Sequence, residues 1–157
     1  MKIKLIWAQD LNGGIGFKND LPWFSKEDLK NFKLITLNST IVMGRKTWDS
    51  LKIKPLPKRR NIVLSSNSIE NVECYKSIDN MINNLKNETS IFVIGGAQIY
   101  KIFYPLADEL HISFINKNNN EVDTYFPVEI SNIKKKYKKI TSKNLSLDVT
   151  YTVWTKI

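Results

Sequence analysis

Two cations and a hydroxyl follow a short apolar run in the segment IVMGRKT at residues 41–47, a pattern that suits phosphate binding. If residues 40–43 form a strand and 45–51 form a helix, the backbone amides at the start of the helix would point at a bound phosphate. Arg45 and Lys46 would add charge-assisted hydrogen bonds. A solvated helix start with two exposed cations has the same pattern, so the segment alone supports either interpretation.

A glycine pair and a serine pair also follow predicted strands. Gly95 and Gly96 come after a strand at 90–94, and without side chains they would let the backbone approach a diphosphate closely. This is not the GxGxxG pattern of an ordinary dinucleotide-binding turn, and a packing turn would look the same. Ser65 and Ser66 could hold one more phosphate or form a plain turn. A diphosphate plus a separate phosphate would use all three segments, which favours NADP over NAD.

Asp28 is the acidic residue whose position most favours chemistry. It lies in a helix predicted over 26–37, in which Leu29 and Phe32 are expected to face inward. Asp28 then falls at the edge of the buried stripe, where a carboxylate is costly unless something pairs with it. The alternative is an exposed acid that favours the helix dipole, a role that Glu27 fits better.

Arg59 and Arg60 stand immediately before a strand predicted at 61–64. One of them could clamp a ligand carboxylate through two parallel hydrogen bonds, because the guanidinium group is planar and forked. Both could equally be solvated cations of a loop, and the sequence does not distinguish the two residues.

The elements that must position these residues alternate along the chain. Apolar patterns predict strands at 3–9, 40–43, 61–64, 72–75, 90–94 and 109–115, and helices at 26–37, 45–51, 78–85 and 97–103. Residues 10–24 and 116–120 are expected to be loops, the first of them long enough to be functional. Segments 136–142 and 149–156 suit an antiparallel hairpin.

This order of elements predicts an α/β fold with three layers. A central mixed, mostly parallel sheet of about eight strands would carry helices on both faces and end in a C-terminal antiparallel hairpin. No repeat or linker interrupts the pattern, so residues 1–157 are expected to form a single domain.

Composition excludes several classes of protein. A hydrophobic content of 42% over 157 residues can supply a buried core. The sequence shows neither a signal peptide nor an apolar stretch of about 20 residues, so we expect a cytoplasmic protein that does not enter a membrane. One cysteine, Cys74, and one histidine, His111, leave no cluster for a metal, and none is predicted.

The net charge of +9 suits nucleic acid or small anionic ligands. The run KKKYKK at 134–139 carries five of these charges, and we interpret it as a solvated strand edge, where lysines discourage pairing with other sheets. The chain lacks the aromatic, helix-turn-helix and zinc signatures of nucleic-acid-binding modules, so no nucleic-acid partner is expected.

A series of motifs resembles the dihydrofolate reductase family. The motifs are LPW at 21–23 with Asp28, Leu29 and Phe32; MGRKTW at 43–48; PLP at 55–57 with RRN at 59–61; IVLSS at 62–66; IGG at 94–96; and DTYFP at 123–127, with Ala8, Asp10, Gly13 and Gly16 preceding them. They follow the order of the family and cover about residues 3–127, with a looser match at 151–156. Together they are highly specific.

The resemblance implies NADPH-dependent reduction of 7,8-dihydrofolate to 5,6,7,8-tetrahydrofolate, by hydride transfer to C6 and protonation at N5. This reaction would support one-carbon metabolism and the synthesis of thymidylate and purines. A rival with a related fold is the pyrimidine reductase domain of riboflavin synthesis, which also uses NADPH but would not explain LPW together with Asp28 and Arg59. A monomer is the family default.

The resemblance also implies roles around the substrate. Asp28 would be the only ionisable side chain in the pterin pocket and would favour protonation at N5 through a water molecule. Trp23 would lie beside the pterin and a bound water, and Leu21 would complete the catalytic set. Arg59 would pair with the α-carboxylate of the glutamate tail, and Ser113 would hydrogen-bond in the Asp28 network. Further implied substrate-binding residues are Ile6, Ala8, Phe32, Lys33, Leu51, Leu56, Ile94 and Tyr100.

For NADPH, the resemblance implies a diphosphate held at Gly95 and Gly96, which family members join by a cis peptide bond. Arg45 would bind the adenosine 2′-phosphate together with Ser65 and Ser66. The full set of implied cofactor-binding residues is Ala8, Gly14, Ile15, Gly16, Asn19, Leu21, Gly44, Arg45, Lys46, Thr47, Leu64, Ser65, Ser66, Lys76, Gly95, Gly96, Ala97, Gln98, Ile99 and Thr124.

The loop at 10–24 would, by the same resemblance, close over the reacting carbons and exclude water. Asp123 would tether the closed loop near Gly16.

Overall fold

A computed structural model describes residues 1–117 and 121–157 of the chain. The strands are β1 (Lys2–Asp10), β2 (Gly14–Gly16), β3 (Thr40–Gly44), β4 (Arg60–Leu64), β5 (Glu73–Tyr75), β6 (Ser90–Gly95), β7 (Glu109–Ile115), β8 (Thr124–Tyr125), β9 (Tyr137–Asn144) and β10 (Val149–Lys156). The helices are α1 (Lys26–Thr36), α2 (Arg45–Ser50), α3 (Ile78–Asn84), α4 (Ala97–Phe103) and α5 (Ile130–Lys136).

Eight strands form one sheet in the order β5-β4-β3-β6-β1-β7-β10-β9. The pairs from β5 through β7 are all parallel, and β10 runs antiparallel to both of its neighbours. The mixed, mostly parallel sheet and its C-terminal antiparallel hairpin confirm the predicted fold class. None of the helices in the described ranges has the length and apolar content needed to cross a membrane.

Two hydrophobic cores lie on opposite faces of this sheet. Leu5 and Ile6 are neighbours in β1, so their side chains point to opposite faces, and each belongs to a different core. The larger core takes Met81, Phe103 and Ile133 from α3, α4 and α5, and the smaller core takes Phe32 and Trp48 from α1 and α2. Helices therefore cover both faces, as the three-layer prediction requires.

The lysine run at 134–139 is divided between two elements, so the prediction of a strand edge is wrong for its first half. Residues 134–136 form the last turn of α5, where positive charge suits the helix dipole. Lys138 and Lys139 lie in β9, which is the edge strand. Sequence reasoning misses α5 because only Ile133 of its seven residues is buried, which leaves almost no apolar periodicity.

The loop predicted at 10–24 contains a short strand, β2, which pairs antiparallel with β8. These strands have three and two residues, fewer than the about four residues at which alternation can be recognised. Of the polar loop predicted at 116–120, residues 118–120 lie outside the described part of the chain.

Candidate active site

The carboxyl ends of β5, β4 and β3 form part of one edge of the sheet. In the strand register Leu64 pairs with Gly44 of β3 and with the last residue of β5. The residues that follow, Arg45, Ser65 and Lys76, therefore occupy three successive strand ends. Two cations and one hydroxyl in a row can bind a doubly charged phosphate group.

The helices α2 and α4 start after the neighbouring strands β3 and β6, whose register pairs Met43 with Gly95, the residues directly before Gly44 and Gly96. Each glycine is the N-cap of its helix and has no side chain that could accept a hydrogen bond from the first amides of α2 or α4. A Cβ at Gly44 would lie 2.8 Å from Cγ1 of Ile99, so only glycine allows this close packing. The bond between Gly95 and Gly96 is cis, as the resemblance implies.

Gly95 also has a conformation that other residues rarely adopt, with φ at +119°. A Cβ there would lie 3.2 Å from the Tyr100 ring. A side chain at Gly95 would therefore disturb both the backbone and the packing of α4.

Asp28 lies in the first turn of α1 and is buried. The helix begins after Ser25, whose hydroxyl accepts a hydrogen bond from the Asp28 amide at 3.1 Å. Asp28 is only 8% exposed. Burial raises the pKa of the Asp28 carboxyl, and the hydroxyl of Ser113 on β7 partly opposes that rise. A ligand that donates hydrogen bonds would stabilise this carboxylate.

The buried face of α1 differs from the prediction at one position. Leu29 is 42% exposed, so the expectation that it faces inward is wrong. The inward face runs through Asp28, Phe32 and Thr36 at four-residue spacing, and the next residue along a helix points about 100° away. The polar residue thus occupies the inward position that the apolar pattern assigns to leucine.

Several predicted substrate residues lie on the same face of the sheet as Asp28. Ala8 pairs with Ser113, so both side chains point to one face, and Ile6 points the same way two residues earlier. Partly buried side chains that pack against the same core as Ile6 are Phe32, Leu51, Leu56 and Ile94. Tyr100 lies apart from this group, since it belongs to the larger core and its hydroxyl donates to the Ile6 carbonyl at 2.7 Å.

Trp23 and Leu21 lie in the loop before α1. The Trp23 Nε1 atom is buried and has no hydrogen-bond partner among the described residues. Buried donors of this kind are normally bonded to water or ligand, as expected of a residue beside a bound water. Leu21 is 44% exposed, which leaves it accessible to a ligand.

Arg59 and Arg60, which the sequence could not distinguish, have different surroundings. Arg60 forms ion pairs with Glu73 and Glu88 at 2.8 and 2.9 Å, and these bonds raise its pKa. Arg59 has no ion pair among the described residues. Its Nη1 donates to the Thr36 hydroxyl at 3.1 Å, and burial lowers its pKa. Arg59 is therefore the cation available for a ligand carboxylate beside α1.

Asp123 holds the middle of the loop at 10–24. The Asp123 amide donates to the Gly16 carbonyl at 3.0 Å, and its carboxylate accepts from the Lys18 amide at 2.9 Å. One residue after Lys18, the side-chain amide of Asn19 donates a hydrogen bond to the Lys46 carbonyl at 3.3 Å, in the first turn of α2. The Asn19 contact places the loop against the first turn of α2, at the edge where the parallel strands end.

The resemblance implies hydride transfer, and we expect Asp123→Ala to slow that step at pH 7 by about tenfold, because misplaced reacting groups lose rate steeply. The Lys18 amide and the Thr124 hydroxyl lower the pKa of Asp123, so the tether stays ionised at neutral pH and weakens only as pH falls through that lowered pKa. Single-turnover NADPH absorbance measures the rate. Asp79→Ala, an exposed acid on α3, is the control. An unchanged rate in Asp123→Ala would contradict the proposal that Asp123 tethers the loop.

Sequence reasoning assigns no role to two residues that support the site, one of which, Asp10, belongs to the motif series. Asp10 is 5% exposed, and its carboxylate accepts the amides of Asn12 and Gly14 at 2.8 Å, which fixes the start of the loop. Thr36 positions Arg59. An acid directly before a glycine-rich loop is a signal that could have indicated Asp10, whereas nothing in the sequence links Thr36 to Arg59.

The other predicted cofactor and substrate residues differ in exposure. Ile15, Leu64 and Ile99 are partly buried against the larger core. Ala97, Thr47 and Thr124 are partly buried, and the exposed residues are Lys33, Lys46, Ser66, Lys76 and Gln98. The exposed cations Lys46 and Lys76, at the ends of β3 and β5, suit an anionic ligand that is itself partly solvated.

Comparisons with known proteins agree with this geometry. A family model described as dihydrofolate reductase matches residues 2–156. The dihydrofolate reductase of Buchnera aphidicola from Acyrthosiphon pisum is 46% identical over 129 residues, covering 81% of this chain and 80% of that protein. The dihydrofolate reductase of Mycobacterium leprae is 44% identical over 128 residues, covering 78% and 73%.

A solved structure is also similar to the whole chain. It is a dihydrofolate reductase from Enterococcus faecalis in complex with NADP(H) and RAB-propyl, with a TM-score of 0.86 and 31% identity. The match covers 99% of this chain and 96% of that one.

Proposed function

The chain belongs to the dihydrofolate reductase family, and on that premise we propose how its own residues carry out the family reaction. The protein is an NADPH-dependent oxidoreductase that reduces 7,8-dihydrofolate to 5,6,7,8-tetrahydrofolate. The observation that carries the assignment of the site is the buried carboxyl of Asp28 on the inner face of α1, whose pKa burial raises.

Asp28 binds and orients the pterin. A carboxylate accepts hydrogen bonds only, so it suits the N3 and 2-amino donors of the ring. Two such bonds stabilise the carboxylate that burial otherwise disfavours. They also draw electron density in the ring toward N5 and so favour its protonation through a water bonded to Trp23. Leu21 covers the ring from the loop.

Arg59 binds the α-carboxylate of the glutamate tail. Its Nε donates to the Pro57 carbonyl at 3.0 Å and its Nη1 to Thr36 at 3.1 Å, so two contacts fix the plane of the guanidinium. A fixed planar fork binds a carboxylate through parallel hydrogen bonds. The apolar residues Ile6, Ala8, Phe32, Leu51, Leu56 and Ile94 form the walls, with Lys33 and Tyr100 at the borders.

The residues of the strand-end edge fit NADPH. The adjacent bare helix starts at Gly44 and Gly96 suit a diphosphate, and the row of Arg45, Ser65 and Lys76 suits the 2′-phosphate. When bound, NADPH supplies the hydride that is transferred to C6. The remaining proposed cofactor contacts are Ala8, Gly14, Ile15, Gly16, Asn19, Leu21, Lys46, Thr47, Leu64, Ser66, Gly95, Ala97, Gln98, Ile99 and Thr124.

The loop at 10–24 covers the reacting groups and excludes water, with Asp123 as its tether. We further propose that residues 1–157 form one domain, and that the protein acts as a monomer in the cytoplasm without a nucleic-acid partner.

We expect NADPH absorbance to fall when dihydrofolate is added, and NADPH to be preferred to NADH by at least about tenfold, since NADH lacks the 2′-phosphate. Steady-state rates with each cofactor measure the preference. The ribosylaminopyrimidine substrate of the related riboflavin enzyme is the control and should not be reduced. Reduction of the ribosylaminopyrimidine and not of dihydrofolate would contradict the function. A ratio of NADPH to NADH rates near one would contradict the assignment of the 2′-phosphate to Arg45, Ser65 and Lys76.

A further inference from the structure

We propose that Asp49 is a positioning residue, which orients the Arg45 guanidinium toward the 2′-phosphate and thereby raises selectivity for NADPH over NADH. This inference rests on the proposed assignment of Arg45 to that phosphate and adds a second residue to it. Asp49 lies in α2 four residues after Arg45, on the same side of the helix.

The contact between the two side chains uses one edge of the guanidinium. Both carboxylate oxygens of Asp49 lie near the Arg45 Nε, at 3.1 and 3.2 Å. The terminal nitrogens of Arg45 have no hydrogen bond or ion pair with a described residue. Because Asp49 occupies Nε, it fixes the rotation of the side chain and leaves the outer pair of amino groups for another anion.

The strand ends next to the Arg45 backbone supply that anion's other partners. The register of β3, β4 and β5 puts Arg45, Ser65 and Lys76 on neighbouring strand ends. The Ser65 amide donates to the Tyr75 carbonyl at 3.0 Å, which fixes the middle residue of the row. A phosphate that spans these residues meets two cations and a hydroxyl. Of the two long cationic side chains in this row, Arg45 is the one that a described residue holds, through its contact with Asp49.

A carboxylate this close to a bound phosphate would also repel it. Arg45 and Asp49 are 49% and 50% exposed, so water and salt screen that repulsion. Holding a flexible arginine in one rotamer, by contrast, lowers the entropy lost when the anion binds, and solvent does not screen this effect. Positioning therefore outweighs repulsion. If Asp49 is replaced, loss of positioning lowers the preference for NADPH over NADH, whereas loss of repulsion raises it.

Kinetics of Asp49→Ala and Asp49→Asn separate these effects. The measured quantity is kcat/KM for NADPH divided by kcat/KM for NADH. Asp49→Ala should lower this ratio about two- to fivefold, the size of an ordered exposed ion pair. Asp49→Asn should keep most of it, because its amide oxygen still accepts a hydrogen bond from Nε. Melting temperatures show whether each variant is folded.

Arg45→Ala separates a failure of this inference from a failure of the cofactor assignment. Arg45→Ala should lower the ratio at least about tenfold, and adding Asp49→Ala to it should change nothing more. If both Asp49 variants raise the ratio, or Asp49→Ala leaves it unchanged while Arg45→Ala lowers it, Asp49 is no positioning residue. If Arg45→Ala itself leaves the ratio intact, the assignment of the 2′-phosphate and the role of Asp49 both fall.

Discussion

Replacing Asp28 by asparagine lowers turnover at pH 7 by about 10²- to 10³-fold, the usual contribution of assisted proton transfer. Asparagine keeps the size of the side chain but removes the negative charge that draws a proton to N5. The dissociation constant for NADPH changes far less, because Asp28 is not among the residues that we propose to bind the cofactor. Steady-state turnover and NADPH fluorescence titration measure the two quantities.

The pH dependence of this variant follows from the proposed role. At low pH the substrate acquires its proton from solution, so the deficit of Asp28→Asn narrows as pH falls. Glu27→Gln is the matched control, since Glu27 is exposed in the same helical turn. Equal losses of turnover and NADPH affinity, or no loss of turnover, would contradict the assignment.

Stability should change in the opposite direction to activity. Burial raises the pKa of Asp28 in the folded protein above its value in the unfolded chain. The contribution of Asp28 to the free energy of unfolding is therefore fully present at pH below the unfolded pKa, and it is lost as pH rises through the folded pKa. Asp28→Asn removes the ionised group and should raise the free energy of unfolding at pH 7 by about 1 kcal/mol. Urea unfolding at pH 7 and at acid pH tests this, since the gain should vanish in acid.

Replacing Arg59 by leucine raises the KM for dihydrofolate about 10- to 100-fold, the loss expected for a charged hydrogen-bonded pair. A dihydropterin without a glutamate tail should show no such rise, because it carries no α-carboxylate. Comparing the two substrates in steady state isolates the contact with the tail.

Arg60→Leu is the matched control for this experiment. Arg60 already pairs with Glu73 and Glu88, so its loss should lower the free energy of unfolding by about 1–2 kcal/mol without changing the KM ratio of the two substrates. If Arg60→Leu rather than Arg59→Leu raises the KM for dihydrofolate, the two assignments are reversed.

Much of the fold could be predicted because its apolar residues follow regular periods. The helix Ala97–Phe103 and the strand Glu109–Ile115 have the bounds expected from the sequence. Long apolar strands and capped helices carry their own signal, since each must bury one face. The parallel sheet then follows from the alternation of strands and helices, and it brings the strand ends with their glycines and cations to one edge.

The short elements could not be predicted, because they have too few buried apolar residues to show a period. α5 buries one residue and β2 and β8 have three and two residues, so they exist through contacts with distant segments. The tether between Asp123 and the loop is such a contact, because it joins residues more than 100 positions apart. That Asp28 is buried and Leu29 is exposed became clear only once the packing against the sheet showed which side of α1 faces inward.

The sequence by itself determined which chemical groups are present and at which strand ends they fall. The type and spacing of the residues could not decide which of two adjacent arginines is free of an ion pair, because both have the same charge and nearly the same place in the chain. The tertiary structure decided this by pairing Arg60 with two glutamates from other segments and leaving Arg59, among the described residues, with a hydrogen bond to Thr36 instead of an ion pair. The availability of a charge depends on its neighbours in space, and those neighbours are set by the fold.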